Sequence, residues 1–202
     1  MYLLRDTLHK TRNRLSSSFR REDGKLKVVP DSTFTPDTKE QKASCMIVGI
    51  GNVFRGDDAT GLLVLRELRE SLGARVPTYE LDDDQTRLIE LMQSAEAVVL
   101  IDAVRSSAPA GTIFRIDAST APIPLDSLSF SSHGIDAAQA VELARTLGCL
   151  PHKVLIYGIV GSDFTPGEKL TPIVKDAMSV VEERISEEIE LLLHGESLTQ
   201  GK

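Results

Sequence analysis

Three apolar runs constrain this chain more than any other feature of its sequence: CMIVGIG from Cys45, AVVLIDAV from Ala97 and KVLIYGIVG from Lys153. Each is far too short to cross a bilayer, and each is apolar at successive positions rather than alternate ones. That is the pattern of a strand buried on both faces, as in the middle of a parallel sheet. Helical periods lie between the runs. Leu62, Leu65 and Leu68 share a face between Asp58 and Ser71, and Leu88, Leu91 and Met92 do so between Gln85 and Ser94. Further strands are predicted at RVPTYEL and, in an edge or antiparallel position, at GTIFRI after a Pro-Ala-Gly turn. Strand alternating with helix predicts a layered α/β fold with a mainly parallel sheet.

The second half continues the pattern. SSHGIDAAQAVELARTLG predicts a helix capped by Ser131 or Ser132 and closed at Gly148. The last helix has Thr171 as its cap and Pro172 at its first position, with Ile173, Ala177, Val180 and Ile185 as the inward stripe, and it fades after Leu193. Residues 1–43 mix Ser, Thr, Pro, Lys and Arg without a sustained period and read as a flexible basic N-terminal extension. One domain is expected over 44–195, followed by a loose tail at 196–202.

Composition narrows the function classes. A net charge of -7 and a pI near 5.2 repel a nucleic-acid backbone, and no segment reads as a membrane span or a secretory leader. The two cysteines, Cys45 and Cys149, form no disulfide framework or thiolate cluster; as reduced thiols they agree with a cytoplasmic protein.

The candidate chemistry begins after the first apolar run, at GIGNVFRGDDATG. Gly49 and Gly51 resemble the start of a dinucleotide fingerprint, but Phe54 stands where its third glycine belongs. Asp57 and Asp58 follow at the start of the helix, where a pyrophosphate would need amide donors and would meet two carboxylates instead. A cation suits that place better. The structural alternative is that Asp57 caps the helix while Asp58 decorates its first turn.

Asp102 follows the run Ala97 to Ile101, which carries it to the lip of a buried strand, where ligand sites of open α/β sheets lie. Capping the turn at Val104, Arg105 and Ser106 is its structural alternative. His133 stands beside Gly134 at the start of a predicted helix, and of the four histidines it alone is expected on the same rim. Two carboxylates and an imidazole suit a borderline divalent ion such as zinc, nickel, manganese or iron.

GIGNVFRGDDATG, VVLIDAV with its trailing APAGTIFR, SSHG and YGIVGSDFTPGEKLTPIV together, in this order, resemble the hydrogenase maturation endopeptidases from Cys45 to the final helix. The resemblance implies a three-layer α/β/α sandwich with a twisted central sheet. It also implies a cytoplasmic protease that removes the C-terminal extension of a nickel–iron hydrogenase large-subunit precursor once nickel is inserted. By the same resemblance Asp58, Asp102 and His133 are the catalytic and nickel-interacting residues. We expect Gly49, Gly51, Asn52, Asp57 and Asp82 as supporting or substrate-binding residues. Nickel is expected to arrive on the substrate rather than as a permanent cofactor, and no nucleotide, nucleic acid or membrane is expected as a partner. The sequence departs from the family at YELDDDQTR, where an aspartate followed by paired glycines is usual. A non-catalytic metallochaperone or adaptor, or a nucleotide-dependent α/β enzyme, is the alternative reading.

Overall fold

A computed structural model describes residues 18–22, 25–29, 42–82, 84–123, 129–130, 137–167 and 169–194. The chain divides into two units, Met1–Lys39 and Glu40–Lys202. In the first, β1 (Ser18–Glu22) and β2 (Lys25–Val29) pair antiparallel, with Ser18 opposite Val29 and Glu22 opposite Lys25. This hairpin lies in the segment expected to be a flexible extension. The available signal was Asp23-Gly24 between two runs of strand-forming residues, a pair that favours tight hairpin turns.

The second unit holds β3 (Met46–Ile50), β4 (Thr78–Leu81), β5 (Ala97–Arg105), β6 (Ile113–Asp117), β7 (Ser129–Phe130) and β8 (Lys153–Val160). The main strand order is β4-β3-β5-β8-β6. The first four of these run parallel, and β6 closes one edge antiparallel to β8. β7 pairs antiparallel with Val104 and Arg105 at the far end of β5.

Four helices complete three layers: α1 (Thr60–Leu72), α2 (Gln85–Gln93), α3 (Ala137–Thr146) and α4 (Pro172–His194). One face of the sheet, with Ile47, Val99, Ile101 and Tyr157, packs on Leu65 and Leu68 of α1 and on Val181 and Ile185 of α4. The other face, with Val48, Val98, Leu100 and Ile156, packs on Leu88 and Met92 of α2 and on Ala138 and Val141 of α3. Alternate residues of β5 thus feed opposite cores, which is why its sequence is a continuous apolar run rather than an alternating one.

Several predicted details shift. A 3-10 helix at Gly56–Ala59 precedes α1, and another at Gly73–Arg75 takes the start of the predicted RVPTYEL strand, leaving Thr78–Leu81 extended. The inward stripe of α4 is Val174, Ala177, Met178, Val181, Ile185 and Ile189, whereas Ile173 and Val180 are exposed. The predicted stripe erred by one residue at two positions because apolar residues lie on both sides of the seam. The predicted start of α3, with Ser131, Ser132 and His133, lies outside the described residues.

The connection through α1 leads from β3 outward to β4, and that through α2 returns past β3 to β5. At their carboxyl ends β3 continues toward β4 on one side and β5 toward β6 on the other, and such a change of direction leaves a crevice between the two strand ends. This is the place in an open α/β sheet where ligands bind.

Candidate functional site

The loop leaving β3 at this crevice is held by its own backbone. Gly51 N donates to Leu81 O at 3.0 Å, Asn52 N to Asp58 O at 3.1 Å, and Asp58 N to Arg55 O at 3.0 Å. Asn52 Oδ1 also accepts from Phe54 N at 2.9 Å, which explains an asparagine at this position. Gly51 has φ +143°, and a Cβ there would collide with Asp58 O. These contacts fold the loop back so that the 3-10 helix carrying Asp57 and Asp58 lies over the end of β3.

Close approach of helix and sheet, which a dinucleotide loop obtains from its third glycine, is obtained here from Gly61. A Cβ on Gly61 would overlap the carbonyl oxygens of both Ile50 and Ile101. Gly61 lies outside the spacing of the nucleotide motif, so that motif does not reveal it in the sequence. Gly49 completes the fit, since a Cβ there would meet Gly61 O and Leu65 Cβ. Gly61 lies three residues after Asp58, and Ile101 immediately precedes Asp102. The backbone of the turn after Asp58 therefore approaches the backbone of β5 just before Asp102.

Asp102 lies within β5 rather than at its lip, because β5 continues to Arg105, paired with β8 on one side and β7 on the other. Val104, Arg105 and Ser106 accordingly form no capped turn. The carboxylate is fully buried, and its Oδ1 accepts from Ala103 N at 2.8 Å. Asp58 is 7% exposed, with its Oδ2 3.9 Å from Arg55 Nε. His133 lies outside the described residues. Among those described, no group of three or more His, Cys, Asp or Glu side chains gathers. Asp58 and Asp102, both buried, nevertheless offer hard oxygen donors of the kind a divalent ion takes.

Asp57 does something other than cap its own helix. Its fully buried carboxylate reaches across to the loop after β8: Oδ2 accepts from Ser162 N at 2.8 Å and Asp163 N at 3.0 Å, and Oδ1 from Thr171 N at 2.7 Å and Thr171 Oγ1 at 2.9 Å. Burial opposes ionisation of this group, but the backbone and hydroxyl donors outweigh it and hold the carboxyl below its ordinary range. Asp57 therefore locks the 3-10 turn to the loop that leads into α4. The same loop returns to the rim elsewhere, since Gly167 N donates to Phe54 O at 2.8 Å and Phe164 lies 3.9 Å beneath the Arg105 guanidinium.

Beside the β3 loop a groove of about 420 Å³ runs between Asn52, Phe54, Leu62, Arg66 and Asp82. Asp82 stands exposed on its wall, while Asp84 caps α2 by accepting from Arg87 N at 2.9 Å. Glu80 is neutralised on the same wall by Arg66 at 2.6 Å and Arg69 at 3.1 Å. Cys45 is buried in the core with its thiol pushed up to about 12 by desolvation, which leaves it inert as a nucleophile.

The family described as hydrogenase maturation protease matches residues 84–188. The hydrogenase expression/formation protein HupD of Thiocapsa roseopersicina is 26% identical over 151 residues, covering 73% of this chain and 65% of the relative, so the chain spans a little under two thirds of that protein. The hydrogenase 2 maturation protease of Escherichia coli is 26% identical over 136 residues, covering 64% of this chain and 80% of the relative. Among solved structures, the hydrogenase maturating endopeptidase HybD from E. coli superposes with a TM-score of 0.59 at 18% identity, over 72% of this chain and 91% of its own, a likeness of fold.

Proposed function

Since the chain belongs to the hydrogenase maturation protease family, we propose that it is an endopeptidase that removes the C-terminal extension of a nickel–iron hydrogenase large-subunit precursor. The observation that supports this reading is that Asp58 and Asp102 are both buried carboxylates, one following β3 and one within β5, with Gly61, three residues after Asp58, packed against the carbonyl of Ile101, the residue before Asp102. Nickel belongs to the substrate in this scheme, and Asp58, Asp102 and His133 are the residues that meet it. A precursor lacking nickel forfeits those interactions, so the binding energy needed to align the scissile bond is available only after metal insertion. Hydrolysis adds water to the peptide carbonyl and releases the extension as an amine. Asp58 and Asp102 are the groups that position the water and take up its proton.

The neighbouring groove supports a polypeptide substrate, being open, mixed in polarity and continuous with the Asn52 loop. The β3 loop argues against a nucleotide: its third-glycine position is Phe54, and its helix opens with two carboxylates. Cytoplasmic placement is part of the proposal, supported by two free thiols. Among the described residues no helix is long and apolar enough to cross a membrane.

The test is cleavage of a purified nickel-loaded precursor, read by mass. Asp58→Asn, Asp102→Asn and His133→Ala are each expected to lower kcat/KM by about 100-fold or more while retaining the native circular dichroism spectrum. Near-normal rates in all three would remove the site from the mechanism. An unchanged precursor mass with the wild-type protein, despite binding, would make the protein an adaptor instead.

A further inference from the structure

Arg55 is a charged side chain at this rim that the hydrolytic scheme leaves without a task. Its Nε lies 3.9 Å from Asp58 Oδ2, and the two side chains are 23% and 10% exposed. That Nε is buried, and among the described residues it has no hydrogen-bond partner. The separation is within ion-pair range but beyond a hydrogen bond, so Arg55 offsets charge on Asp58 without donating to it through Nε. The backbone holds it there. Arg55 N donates to Asn52 O at 3.2 Å, Arg55 O accepts from Asp58 N at 3.0 Å, and the next residue, Gly56, sits at φ +52° with no room for a Cβ beside Asp163 O.

From this geometry, and resting on the reading of Asp58 as a nickel-facing residue, we propose that Arg55 is the resident counter-ion of Asp58. In the absence of substrate its guanidinium disfavours occupation of the carboxylate by free divalent cations. A guanidinium so close to a carboxylate raises the electrostatic cost of placing a second cation there, and partial burial limits the screening of that cost. A free ion can meet the cost only with its own ligand bonds. An ion already held by a protein substrate arrives with the binding energy of a whole interface and can move the guanidinium aside. The un-bonded Nε lets the arginine leave without breaking a hydrogen bond at that atom. Arg55 is therefore a specificity-determining residue that makes the site accept nickel from the precursor and refuse it from solution.

Calorimetric titration of the full-length, substrate-free protein with nickel chloride tests this directly. Arg55→Gln and Arg55→Met are expected to bind nickel at least about tenfold more tightly than wild type, having lost the charge, and Arg55→Lys to stay within about threefold of wild type. Combining Arg55→Gln with Asp58→Asn is expected to abolish the gain. Equal affinity in wild type and the neutral variants overturns the proposal, as does an equal gain in the lysine variant or a gain that survives Asp58→Asn. If Arg55 instead clamps the peptide, the neutral variants raise KM for the precursor with nickel affinity unchanged, which also overturns it. The titration contains no precursor, so its failure is separable from that of the protease reading, which falls only if wild type leaves the precursor mass unchanged.

Discussion

Asp57 and Asp58 are adjacent in sequence and face different tasks. Asp57 is turned inward onto Ser162, Asp163 and Thr171, whereas Asp58 stands beside Arg55 at the crevice. An amide in place of the Asp57 carboxylate would set a donor against donors and leave buried N–H groups of the α4 loop unsatisfied. We expect Asp57→Asn to cost about 2–4 kcal/mol in urea unfolding. It should also lower cleavage less than Asp58→Asn does, because its effect reaches the crevice only through the position of the 3-10 turn. A loss of activity as deep as that of Asp58→Asn, with stability unchanged, would contradict this division of labour.

At the scale of elements, α4 is held to the sheet by an apolar seam and by a polar junction. The seam predicts that Val181→Ala, which opens a void in a fully buried position, costs about 1–3 kcal/mol, while Val180→Ala, one residue away and 39% exposed, stays within about 0.5 kcal/mol. Chemical denaturation of the pair checks the assignment of the face. The junction is Glu188, which is 6% exposed and accepts from Arg115 Nε and Nη2 at 2.8 Å each and from Tyr157 Oη at 3.0 Å. Burial opposes ionisation of Glu188, but the Arg115 and Tyr157 donors prevail and hold it below its ordinary value of 4.5. The folded state thus binds this proton less readily than the unfolded chain. The contribution of Glu188 is complete above pH 4.5 and is lost as pH falls through the depressed folded value. Unfolding measured across that acid window should show a shallower slope for Glu188→Gln than for wild type; equal slopes would show that the junction does not titrate.

For the whole molecule, the crevice lies where β3 exits toward β4 and β5 exits the other way toward β6, and the proposed site draws on the loop and first turn after β3 and on a residue inside β5. Every strand and helix that builds those layers lies within Glu40–Lys202. A chain beginning at Glu40 is therefore expected to unfold in a single cooperative transition and to process the precursor. Failure to fold would assign the first 39 residues a structural role; normal folding with lost processing would assign them to substrate recognition.

The sequence by itself determined the layered α/β architecture, because burial on one or both faces leaves a period that neighbouring residues reveal. It also singled out Asp58 and Asp102 as candidates, since acids after buried apolar strands or at a helix start are locally conspicuous. Periodicity was weakest where apolar residues flank the true seam, as at Ile173 and Val180, and where a strand is prolonged by distant partners, as β5 is by β7 and β8 beyond Asp102. Only the tertiary structure decided that Asp57 serves a loop more than a hundred residues away rather than its own helix, and that Gly61 lets α1 approach two strands at once. The pairing of Arg55 with Asp58 likewise needed the 3-10 turn. A residue's type and spacing report which face it occupies, but the partner of a buried charge is chosen by whichever distant backbone the closed fold brings within hydrogen-bonding reach.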